Sequence, residues 1–112
     1  MTSLQETTDS SVLQEAIYAW GPDFQMDMAV EEVGEFLVAL QHWKRGRVEK
    51  DAVCEEIADV LIVMQEMALV FGAETVDTFK RQKMERLRRR IDETFAAQKD
   101  GVAVISGYPK KT

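Results

Sequence analysis

The sequence predicts an all-α protein: an antiparallel four-helix-type bundle that is oligomeric and carries a short C-terminal extension. Three observations predict it. Apolar residues recur at helical spacing in four successive stretches. Gly21-Pro22, Gly46 and Gly72 punctuate those stretches. The connections left between them are short, which favours antiparallel neighbours. No internal repeat or low-complexity block divides the chain, so residues 1–112 read as one helical domain with a tail from about 101 onward.

The first helix is expected after Ser11, because Ser11-Val-Leu-Gln14 has the form of a capping box and Val12, Leu13, Ile17 and Trp20 follow at helical spacing. Gly21-Pro22 ends it. Asp23 is the expected cap of a second helix running to about Lys44, with Met28, Val33, Phe36, Leu37 and Leu40 on its apolar side and Gly46 as its stop. A third helix is expected over roughly Glu49 to Phe71, terminated by Gly72, with Val53, Ile57, Val60, Leu61, Met64 and Ala68 as its principal core stripe. Ile62, Val63, Leu69 and Val70 widen that stripe, as in a helix that packs against more than one neighbour in a bundle core or a subunit interface. The fourth helix is expected from Thr75 to about Lys99, carrying Val76, Phe79, Met84, Leu87, Ile91 and Phe95 through a charged stretch. The segment after Gly101 is compatible with a strand, a docked tail or part of an interface.

With 112 residues, 46% of them hydrophobic, the chain has the size of one small domain and leaves much of its surface exposed unless it packs on copies of itself. The single cysteine, Cys54, excludes an internal disulfide framework, fits a reducing compartment and reads as a small buried thiol. The longest apolar run of the most hydrophobic stretch, Val60 to Met64, is broken by Gln65 and Glu66, far short of the roughly 20 residues that span a bilayer. The opening MTSLQETTDSS has polar residues where a signal peptide needs a basic and then an apolar region, so a cytoplasmic protein is expected.

The net charge of -6 argues against binding long nucleic acid, but it averages over an asymmetry. Acids gather at 31–35 and 55–59, while seven of the fourteen Lys and Arg residues fall between Lys80 and Arg90. A small anion can therefore be handled locally.

The acids carry the chemical signal. Glu31-Glu32-Val33-Gly34-Glu35 is followed, after a turn, by Glu55-Glu56-Ile57-Ala58-Asp59. Glu32 and Glu35 are three residues apart, as are Glu56 and Asp59, so each pair projects from one helical face and two such faces form a four-carboxylate cup. Like charges at this spacing cost about 0.2–0.5 kcal/mol per exposed pair, and more in a low-dielectric interior. A divalent cation resolves the conflict, and hard carboxylate oxygens suit magnesium, or manganese in its place. The alternative is a solvated acidic surface. A carboxylate di-iron centre would call for Glu-x-x-His pairs, whereas His42 is the only histidine and both motifs end in acids. No second histidine supports a zinc site either, and neither a Gly-rich phosphate loop nor a Ser-His-Asp arrangement is present.

EEVGE at 31–35 and EEIAD at 55–59 resemble the two acidic motifs of the MazG-like, all-α nucleoside triphosphate pyrophosphohydrolases, over about residues 25–95. The resemblance implies a homo-dimer or homo-tetramer that uses magnesium to hydrolyse nucleoside triphosphates to monophosphate and pyrophosphate. It implies Glu32, Glu35, Glu56 and Asp59 as metal ligands and catalytic acids. Glu35 is the first choice to orient or deprotonate the attacking water, with a bridging-ligand role equally open, and Glu31 and Glu55 are possible supports. The run from Lys83 to Ile91 resembles the basic helix that follows the acidic motifs in that family, and it offers Lys83 and Arg90 to the triphosphate while Leu87 packs inward. Some relatives carry asparagine where Leu87 stands, which removes one polar contact. Trp43 is the candidate for stacking on the base, and Trp20 and Phe24 either pack or enclose a base in the oligomer. A noncatalytic helical regulatory or interaction module on the same scaffold is the competing reading.

Overall fold

A computed structural model describes residues 4–99, and among them every regular element is an α-helix. The expected C-terminal extension lies outside the described residues. Helix α1 spans Leu4–Trp20, α2 Pro22–Lys44, α3 Lys50–Phe71 and α4 Ala73–Lys99.

The start of α1 lies upstream of the expected one. Neither glycine nor proline interrupts residues 4–20, so the Ser11-x-x-Gln14 signature sits inside a continuous helix and does not begin one. Gly21 then closes α1 and opens α2: its amide donates to the Ile17 carbonyl at 2.8 Å, and its own carbonyl accepts from the Gln25 amide at 3.2 Å. Its φ of 88° is open to glycine at little steric cost. Pro22 takes the first helical position, where its missing N–H forfeits no helical bond. Asp23, the expected cap, instead lies in the first turn, where a negative charge complements the helix dipole.

At the far end of α2, Arg45 donates to the Gln41 carbonyl at 3.2 Å and Gly46 to the Trp43 carbonyl at 2.9 Å. Extended Glu49 begins α3. Gly72 ends it with φ 130°, its amide donating to the Ala68 carbonyl at 2.8 Å. With α3 closed by a single residue, α4 begins two positions ahead of the expected Thr75.

The chain forms two compact units, Met1–Ala73 and Glu74–Thr112. In the first, α2 and α3 make the most extensive helix pair, and α1 packs on both. Its buried centre is Leu13, Ala29 and Val63, together with two polar residues, Gln25 and Glu66. The centre is therefore displaced from the expected stripe of α3. Val63, which only widened that stripe, is buried, whereas Ile57, Leu61 and Met64 are 42%, 60% and 42% exposed. Cys54 shares this outward side and is exposed, which corrects its reading as a buried thiol.

The second unit is built on α4. Its basic residues are partly self-paired along the helix: Arg81 meets Asp77 at 3.3 Å and Arg88 meets Asp92 at 2.7 Å, both one turn apart and solvated. Such exposed pairs support the helix by a few tenths of a kcal/mol. Val76, Phe79, Met84, Leu87 and Phe95 are exposed.

Candidate functional site

The acids of EEVGE and EEIAD meet where α2 lies against α3. Glu32, Glu35 and Glu56 each bring one carboxylate oxygen to within 4.8 Å of the others. Oxygens bound to one magnesium at about 2.1 Å lie at most about 4.2 Å apart, so small side-chain adjustments fit the three to a single ion. They form a cluster able to chelate a metal.

Two further observations agree with that fit. Glu32 and Glu56 are half-buried, and the Oε2 atom of each is buried without a hydrogen-bond partner among the described residues. Burial also pushes both carboxyls above the ordinary carboxylate range, and the charges of Glu35 and Asp59 push the same way. A cation placed among these oxygens satisfies both at once, supplying the missing partner and cancelling the like-charge repulsion.

Asp59 is not one of the three convergent ligands, but its charge reaches Glu32 and Glu56 and it lines a cleft with Glu32. Glu31 and Glu55 are exposed, and each adds a weaker upward push, Glu31 on Glu32 and Glu55 on Glu56.

Two clefts of the first unit touch the cluster. One, of about 620 Å³, is wide and open; it is lined by Glu35 and Glu56 together with Glu31, Gly34 and His42. The other, of about 230 Å³, runs from Glu32 and Asp59 to Gln25 and Glu66, with Trp20 and Phe24 also on its wall. The Trp20 and Phe24 rings stand 6.1 Å apart, tilted by 48°, and remain 64% and 48% exposed.

Trp43 is half exposed at the end of α2 and lines neither cleft. In the second unit, Lys83 is exposed. Arg90 is half-buried, and its Nε lacks a hydrogen-bond partner among the described residues. Leu87, turned inward by the spacing argument, is 40% exposed.

Gln25 and Glu66 are not among the site residues expected from the sequence, where Glu66 figures only as a break in an apolar run. Glu66 is 6% exposed, its Oε2 has no hydrogen-bond partner among the described residues, and burial raises its carboxyl above the ordinary range. Gln25 is 4% exposed and donates from Nε2 to the Ala16 carbonyl at 3.4 Å. Their positions hold a signal: Gln25 precedes Glu32, and Glu66 follows Asp59, by two helical turns on the same face. No protein-family model, curated protein or solved structure matches the chain.

Proposed function

We propose that the chain is a magnesium-dependent nucleoside triphosphate pyrophosphohydrolase of MazG-like type, acting as a cytoplasmic homo-dimer or homo-tetramer. The convergence of Glu32, Glu35 and Glu56 carries the reading, because their oxygens lie within reach of one cation and two of the carboxylates have an unpartnered buried oxygen.

Magnesium, or manganese in its place, supplies Lewis-acid stabilisation of phosphate oxygens and a lowered pKa for water. Glu32, Glu35 and Glu56 would hold it, with Asp59 as the fourth ligand that the motif resemblance implies. Glu35, the exposed member of the three, is the residue proposed to orient the attacking water and accept its proton. Water oxygen bonds to phosphorus, the bridge between the α and β phosphates breaks, and pyrophosphate leaves from a nucleoside monophosphate. Lys83 and Arg90 are the proposed donors to phosphate oxygens. Glu31 and Glu55 strengthen the negative field that draws the cation in. Trp43, which lies outside both clefts at the far end of α2, is the proposed stacking partner of the base when contributed by another copy of the chain.

A second reading, a noncatalytic interaction module, draws on the exposed apolar residues Val30, Leu37, Leu61 and Phe71. One experiment separates the two. Folded protein is incubated with a panel of canonical and modified nucleoside triphosphates and magnesium or manganese, and pyrophosphate release is measured. The enzyme releases pyrophosphate only with metal, and Glu35→Ala or Asp59→Ala lowers the rate about 100-fold or more. Absence of release across the panel with either metal rejects the assignment.

A further inference from the structure

The acid cluster and the aromatic pair account for one end and the wall of the smaller cleft. They leave Glu66 unexplained. Burying a carboxyl with an unsatisfied oxygen costs free energy that an apolar side chain would not incur, so a buried unpartnered acid calls for a partner. Among the described residues, no lysine or arginine lines the cleft. The metal cluster is not that partner, because Glu66 stands two turns beyond Asp59, about 10 Å along α3.

The cleft is furnished for something flat and polar at one edge. Trp20 and Phe24 on its wall remain 64% and 48% exposed. Gln25 adds a second buried polar group, held by its bond to Ala16. The far end is formed by Glu32 and Asp59. A nucleotide whose phosphates lie at the acids would bridge that separation with its sugar and present its base to Glu66.

We propose that Glu66, with Gln25 in the same cleft, is the specificity-determining end of a nucleobase subsite that selects bases carrying an exocyclic amino group over their oxo counterparts. The inference rests on the nucleotide reading of the acid cluster. An amino N–H donates to a carboxyl oxygen and gives Glu66 the partner it lacks. An oxo group in the same place has no hydrogen to donate and leaves that oxygen unsatisfied, which is the kind of mismatch that discriminates strongly. Adenine and cytosine fit the rule; hypoxanthine and uracil, which carry oxo in place of amino and an N–H in place of the neighbouring ring-nitrogen acceptor, break it where Glu66 meets the exocyclic position.

The test is equilibrium binding by calorimetry, with magnesium present, of cytidine against uridine 5′-monophosphate and of adenosine against inosine 5′-monophosphate. Wild-type protein is expected to bind the amino member of each pair at least about tenfold more tightly. In Glu66→Gln, whose amide both donates and accepts, the ratio is expected to fall to about threefold or less. Glu66→Asp, which keeps the acid and shortens its reach, is expected to lose the preference too, and it serves if the glutamine variant does not fold.

Equal affinity within both pairs, no binding of either member, or a preference unchanged in both variants overturns the proposal. Pyrophosphate release is followed on the same preparations. Release without amino preference removes the role of Glu66 and leaves the hydrolase standing. Preference without release keeps the subsite and removes the hydrolase.

Discussion

Glu66 has a consequence for stability apart from any ligand. A buried carboxyl whose pKa is raised in the folded protein binds more protons there than in the unfolded chain. Its contribution is favourable below the ordinary glutamate value and is lost as pH rises through the folded value. Acidification from neutral pH into the window between those two values is therefore expected to stabilise the fold at this residue. Glu66→Gln should melt a few degrees higher than wild type at neutral pH, with the difference shrinking as pH falls through that window; thermal melts at a series of pH values read it. A variant that melts lower throughout would place a stabilising partner on the carboxylate. The residue scale is also where legibility was uneven. The three-residue spacing of Glu32 with Glu35 marked them from sequence because repeated acids on one helical face repel. Glu66 is a lone acid after an apolar run, and a lone acid carries no spacing signal until its surroundings are known.

At the scale of helices, start and stop chemistry was legible where backbone geometry demands one residue type. Gly21 and Gly72 have positive φ, and α1, α2 and α3 end where the sequence placed their stops. The start of α1 was not legible, since a capping-box pattern is also compatible with the interior of a helix. Gly34 is a different case. It lies within α2, and a Cβ built there meets nothing within 4 Å. Gly34→Ala is expected to stabilise the metal-free protein by about 0.5–1 kcal/mol, because alanine has less backbone freedom to lose on entering a helix. Chemical denaturation measures the gain; a loss of stability would mean that another surface approaches this position closely in solution. Gly34 also lines the cleft that holds Glu35 and Glu56, so a stabilised variant with impaired pyrophosphate release would indicate that substrate uses the space.

For the whole molecule, the amphipathic pattern predicted burial for more residues than the first unit buries. Ile57, Leu61 and Met64 recur at helical spacing on α3 and are exposed, as are Leu37 and Val38 on α2. Such a stripe fits the oligomer proposed above. Light scattering is expected to give a dimer or tetramer, and Leu61→Glu to shift it toward monomer with helical content retained; a wild-type monomer across micromolar concentrations would contradict it. No helix among the described residues is long and apolar enough to cross a membrane. By itself, the sequence determined the helical class, the principal stops and the pairing of acids along each helix, because these depend on local periodicity and backbone chemistry. Only the tertiary structure decided that Glu32, Glu35 and Glu56 converge while Asp59 stands beside them, that Val63 and not Leu61 is buried, and that Gln25 and Glu66 enclose the end of a cleft. Periodicity fixes which residues share a face of one helix, whereas packing against the neighbouring helices decides which part of that face is covered.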